Sequence, residues 1–269
     1  MSYPPQMTSP RIIAVANQKG GVGKTTTAIN LGAALAKTGQ RVLIIDLDPQ
    51  GNASTGLGVS SGSRRLTTYD VIIENAELAK AIQPTRQEGM QLIPATVDLS
   101  SADLELVGKE RRSFLLRGAL RPTVLRELGI DYVLIDCPPS LSLLTINAMV
   151  ASHSILVPLQ SEFFALEGLS QLMLTVREVR QTANPNLRIE GVLLTMHDLR
   201  NRLAQQVEAD ARETLGDLVF QTVIPRNVRV SEAPSYALPV LDYDPASKGA
   251  QAYAALAEEV RRNHTAVAA

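Results

Sequence analysis

Short, nearly continuous apolar runs alternate along this chain with longer stretches in which apolar residues return every three or four positions. The runs Ile12 to Ala16, Val42 to Ile45, Tyr132 to Ile135, Ser154 to Leu159, Ile189 to Thr195 and Val219 to Ile224 are too short for helices. Each is β-branched or apolar and bounded by charge, Pro or Gly, which predicts strands buried on both faces. Between them, Lys24 to Lys37, Leu141 to Ala151, Leu166 to Thr182, Asn201 to Leu215 and Ala246 to Arg262 carry amphipathic helical spacing. The alternation predicts an α/β fold with a mostly parallel, twisted β-sheet and helices on both faces. The least regular stretch, Gly51 to Gly89, predicts surface loops with short helices near Thr67 to Ile73 and Ala76 to Ala81.

Composition narrows the field. At 269 residues, 45% hydrophobic and 20% charged, the chain can bury a sizeable core. No repeat or composition shift divides it, so one domain over residues 11–262 is expected, with 1–10 a mobile leader and 263–269 a flexible tail. The net charge of −1 argues against a histone-like or ribosomal role, because any polyanion must meet a local patch. The single cysteine, Cys137, rules out an intrachain disulfide. Even two copies would supply too few thiolates for a cysteine-ligated iron–sulfur cluster. With no secretory leader and no apolar run long enough to span a bilayer, the expectation is a cytoplasmic protein without membrane attachment. His153, His197 and His264 lack metal-ligand spacing and are assigned no chemistry.

The first strand leads into Asn17-Gln18-Lys19-Gly20-Gly21-Val22-Gly23-Lys24-Thr25-Thr26-Thr27 and then directly into a helical pattern. Strand, glycine-rich loop, Gly-Lys-Thr and helix is the order that curls backbone N–H groups around phosphate oxygens. It predicts a P-loop NTPase domain, with Lys24 reaching the β and γ phosphates of ATP and Thr25 ligating Mg²⁺. The strict GxxxxGK[ST] pattern fails, because Gln18 stands at its first glycine and Lys19 follows. Lys24 suffices for its own nucleotide. Lys19 can therefore be a solvated loop residue, or it can serve the nucleotide of a second subunit, where a cation stabilises transition-state charge.

The second strand delivers Asp46 and Asp48, which a period of two places on one side of the chain at the carboxyl edge of the sheet. Two carboxylates there can hold Mg²⁺ through water and orient the attacking water; a capped Asp-Pro-Gln-Gly turn is the plainer alternative. A later strand ends in Asp136, in the position of a Walker-B carboxylate supporting Mg²⁺. Cys137 beside it reads as a small buried apolar residue.

Taken in order, KGGVGKTTTAINL, DLDPQGNAS, DYVLIDCPPSLS and TVIPRNVRVSEAPS resemble the ParA/Soj-type partitioning ATPases of the deviant Walker-A class. The likeness spans essentially Arg11 to Arg262. It implies that Lys19 contacts nucleotide across an ATP-dependent homodimer and that Gly20 to Thr26, including Val22, form the ATP-binding loop. It also implies that Asp48 serves hydrolysis, that Thr25, Asp46 and Asp136 support the metal, and that Pro225, Arg226 and Asn227 lie near adenine. By the same resemblance the ATP dimer binds double-stranded DNA without sequence preference on the nucleoid, through Arg200 and Arg229. A ParB-type centromere-binding partner then stimulates hydrolysis and releases it.

Other readings stay open. A MinD-like membrane ATPase would need a bulky amphipathic C-terminal helix, which Tyr253 to Arg262 does not provide. A cargo-positioning ATPase, or a metabolic ATP-dependent enzyme with a small-molecule acceptor, would share the loop. Only about ten residues precede the first strand, so an operator-binding helix-turn-helix is not expected. The one basic run, Lys109, Arg111, Arg112, Arg117, Arg121 and Arg126 against Glu110, is either a solvated helix face or a DNA- or dimer-facing surface.

Overall fold

Seven strands form one sheet in the computed structural model, which describes residues 9–162 and 165–268. They are β1 Arg11–Val15, β2 Val42–Asp46, β3 Gln83–Pro84, β4 Met90–Ile93, β5 Tyr132–Asp136, β6 Ser154–Gln160 and β7 Arg188–Thr195. The spatial order is β3-β4-β2-β5-β1-β6-β7, with only the short β3 antiparallel. The expected leader lies outside the described residues except for Ser9 and Pro10.

The two-residue period of the strands builds two cores from one sheet. Ile12, Ala14, Leu43, Ile45, Val133 and Ile135 pack under the helices Leu143–Ala151 and Ala165–Thr182. The alternate residues Ile13, Val15, Val42, Ile44 and Leu134 pack under α1, Lys24–Lys37, and the final helix, Lys248–Ala268. Both faces are covered, as continuous apolar strands require. Close approach of α1 depends on Gly32, where a Cβ would lie 2.8 Å from Ile44 Cδ1 and 3.1 Å from Met90 Sδ.

Two expectations are corrected. Val219 to Ile224 does not become a strand, although it lies beside β7. Phe220 N donates to Val192 O and Ile224 N to Leu194 O, but Gln221 N and Thr222 N donate instead to the Glu259 carboxylate. A side chain from the last helix therefore interrupts the ladder. That helix also continues beyond Arg262 to Ala268, where a flexible tail is expected. His264 anchors it: Nδ1 lies 2.9 Å from Tyr132 Oη, Nε2 lies 3.0 Å from Glu190 Oε1, and the ring stacks on Tyr132. The sequence pattern also misses β4, whose four residues carry Gln91 and sit between Gly89 and Pro94. No helix among the described residues is long and apolar enough to cross a membrane.

Candidate functional site

Three parallel strands, β2, β5 and β1, bring their carboxyl ends together beneath a cleft of about 490 Å³. Ligands collect at this edge because the loops leaving parallel strands converge there. The loop after β1 bends through Gly21 and Gly23, at φ 74° and 88°, a conformation that side chains with a Cβ resist. None of the N–H groups of Gly20 to Gly23 donates to a backbone carbonyl among the described residues. They are therefore available to an anion at the head of α1, where the helix dipole adds positive potential.

Gly20, Gly21, Gly23, Lys24, Thr25 and Thr26 line the cleft. Val22 does not: its side chain is buried, and its carbonyl accepts a 2.8 Å bond from Thr195 Oγ1 that ties the loop to the end of β7. Lys24 is also buried, with Nζ donating to Lys19 O at 2.9 Å. Burial lowers its pKa, and the charges of Asp136 foremost and of Asp48 act to hold it up. Lys19 is absent from the cleft lining. Its side chain is exposed and forms an ion pair with Glu162.

The carboxylates separate into distinct environments. Asp46 and Asp136 are register partners at the ends of β2 and β5. Asp46 Oδ2 accepts from Ser54 N at 2.8 Å and Ser54 Oγ at 2.6 Å, and Oδ1 accepts from Asp48 N at 3.3 Å. Burial raises the Asp46 pKa to about 6 despite these donors. Asp136 is fully buried, and neither oxygen receives a hydrogen bond of acceptable geometry within the described residues. Burial, and then the charge of Asp46, push its pKa well up, with the Thr25 hydroxyl and the Lys24 ammonium acting in the opposite direction. Asp48 lines the cleft and accepts from Gln50 N at 2.9 Å.

An orphaned carboxylate behind Thr25 fits a divalent cation, since a buried charge without donors calls for a positive partner. No group of three or more His, Cys, Asp or Glu side chains is poised to hold a metal among the described residues. A site of few protein ligands suits Mg²⁺, which keeps waters and takes phosphate oxygens.

Other expected residues fall away from this cleft. Pro225, Arg226 and Asn227 are not among its lining; Met196, Pro234 and Leu238 are. Asn227 Oδ1 instead caps the helix Val228–Glu232 by accepting from Arg229 N at 2.9 Å. Arg200 is clamped by both oxygens of Asp198, each at 3.1 Å, and Arg229 pairs with Glu232 and Asp244 at 2.9 and 3.3 Å. Met196, missed by the motif reading, directly follows β7 and holds φ 52°. Its position past a parallel strand is the signal that points to the cleft.

Known proteins agree with this architecture. A family described as an AAA domain matches residues 10–189. The chain is 58% identical over 251 residues to the chromosome partitioning protein ParA of Caulobacter vibrioides, covering 93% of each. It is 51% identical over 253 residues to the sporulation initiation inhibitor protein Soj of Bacillus subtilis, covering 94% of this chain and 99% of that one. Among solved structures, cobyrinic acid a,c-diamide synthase from Mycobacterium smegmatis, with bound ADP and magnesium, superimposes with a TM-score of 0.81 at 37% identity, covering 95% and 96%. The loop, the paired aspartates and near-full-length likeness to ParA and Soj converge: the chain belongs to the ParA/Soj family of chromosome-partitioning proteins.

Proposed function

We propose that this protein is a Mg²⁺-dependent partition ATPase that dimerises on ATP, binds double-stranded DNA without sequence preference, and leaves it when a ParB-type partner stimulates hydrolysis. The observation that carries the reading is the division of labour between two lysines of one loop. Lys24 lies buried at the head of the cleft, and Lys19 stands exposed outside its lining. A cation so placed serves a nucleotide on a facing subunit by exchanging its Glu162 partner for phosphate.

In this reading the N–H groups of Gly20 to Gly23 and the Lys24 ammonium hold the phosphates of ATP. Thr25 and Asp136 hold Mg²⁺, and Asp46 acts mainly by fixing Ser54 and the turn that carries Asp48. Bound Mg²⁺ supplies charge neutralisation on the phosphate oxygens. Asp48 orients the attacking water, and Lys19 from the other subunit stabilises developing charge in trans. The adenine is assigned to the pocket of Met196, Pro234 and Leu238, near the Pro225 to Asn227 turn. Arg200 and Arg229 release their carboxylate partners to meet phosphates, and the ATP dimer resides on the nucleoid.

A metabolic ligase on the same fold is the second reading, favoured by the 37% identity to the cobyrinic acid a,c-diamide synthase. One experiment separates them: binding of the Asp48→Ala protein to random-sequence DNA, with ATP and with ADP, at two salt concentrations. ATP-dependent, salt-sensitive binding supports the partition switch. A dimeric ATP state without DNA affinity favours the ligase.

A further inference from the structure

Six cations decorate the segment from Lys109 to Arg126, with Glu110 as its one carboxylate. All six are exposed, and none approaches a carboxylate within 4.0 Å among the described residues. Their partners are neutral. Lys109 Nζ donates to Ile73 O at 2.8 Å, Arg112 to Val107 O at 2.9 Å and Arg117 to Ala183 O at 3.2 Å, while the Arg111 guanidinium sits over the Phe114 ring. Arg200 and Arg229 differ in just this respect, each being held by carboxylates.

The segment is also fixed in place. Buried Asn147 accepts from Leu115 N and Leu116 N at 3.1 and 3.3 Å and donates to Arg112 O at 2.8 Å. Arg111 is held at φ 55°. The short helices Leu115–Ala119 and Pro122–Glu127 pack through Leu116, Leu120 and Leu125 onto the core beneath Leu143–Ala151. That helical layer lies on the face of the sheet opposite α1. The bond from Arg117 to Ala183 joins the segment to the end of the Ala165–Thr182 helix, where Arg180 is exposed.

We infer that this surface, centred on Arg112, Arg117 and Arg121, is a second DNA-backbone contact, distinct from Arg200 and Arg229; the inference rests on the DNA-binding reading above. An unpaired guanidinium meets a phosphate without first surrendering a carboxylate, so these arginines enter contact at lower cost than the paired two. The segment presents cations on irregular turns and short helices rather than as one reading helix, which suits sequence-independent backbone contact. A fixed surface also loses little ordering entropy on binding.

The test compares the full-length protein with the triple variant Arg112→Glu/Arg117→Glu/Arg121→Glu, its Gln counterpart, and Arg200→Glu/Arg229→Glu. Binding of a random-sequence duplex is measured with ATP across a salt series, alongside nucleotide affinity and circular dichroism. Loss of three phosphate contacts lowers the slope of log affinity against log salt by about 2.7, and affinity falls by at least about tenfold in the Gln variant. That result, with nucleotide affinity retained, supports the inference; the Gln variant reads it out if the Glu variant misfolds. Unchanged slope and affinity in the Gln variant overturn the surface alone. No DNA binding by the unsubstituted protein overturns the partition reading and the surface with it. Loss of binding to phosphatidylglycerol vesicles, with DNA affinity unchanged, assigns the surface to lipid and overturns the inference.

Discussion

Asp46 and Asp136 face each other in register at the ends of β2 and β5, yet Ser54 satisfies the first while the second accepts no hydrogen bond of acceptable geometry among the described residues. The proposed division, Asp46 fixing the Ser54 turn and Asp136 meeting a cation, is tested by two substitutions. Asp46→Ala strands the N–H and hydroxyl of buried Ser54, and about 2–3 kcal/mol of stability is lost in urea denaturation. Asp136→Asn removes a fully buried carboxyl group whose charged form burial disfavours. In metal-free buffer it unfolds at higher urea, by about 1–3 kcal/mol, and its nucleotide affinity no longer responds to Mg²⁺.

The two lysines of the loop separate by experiment. Lys24→Ala lowers nucleotide affinity by at least about tenfold, because a charge-assisted contact to phosphate is lost. Lys19→Ala keeps nucleotide affinity within about twofold, while ATP-dependent dimerisation disappears and turnover falls on the order of 10³-fold. Equilibrium nucleotide titration, sedimentation and phosphate release read the three quantities. Unchanged dimerisation and turnover in Lys19→Ala would remove the trans assignment.

Glu190 gives a pH signature far from the cleft. Burial pushes its pKa up, but His264, the Ser154 hydroxyl and Arg11 outweigh burial and hold it at about 2. A carboxylate with a depressed folded pKa stabilises the protein above its unfolded value near 4.3, and that contribution fades as pH falls toward 2. Glu190→Gln therefore costs roughly 2–3 kcal/mol at neutral pH, and the gap to the parent protein closes between about pH 4.5 and 2. Denaturant midpoints across that range check it; a pH-independent gap would contradict it.

Asn147 is the internal fastener of the basic segment. Asn147→Ala leaves Leu115 N and Leu116 N without their acceptor and costs about 2–4 kcal/mol. Hydrogen exchange is expected to accelerate first across 107–119, where those bonds were lost.

The alternation of buried strands and helices, the loop from Lys19 to Thr27 and the aspartates ending β2 and β5 were legible from the chain alone, because each depends on local period or contiguous spacing. Contacts between distant segments were not legible. Whether Val219 to Ile224 became a strand depended on Glu259, and whether the last turns frayed depended on His264 meeting Tyr132 and Glu190. The same limit governs the site. Sequence spacing placed Asp46 and Asp136 at one sheet edge; only folding put Ser54 against one and left the other without a well-formed hydrogen bond among the described residues. It likewise paired Arg200 and Arg229 with carboxylates while leaving the Lys109 to Arg126 cations without them among the described residues. Residue type and local period record what a segment can become, whereas the free energy of a charge depends on neighbours that only the tertiary structure supplies.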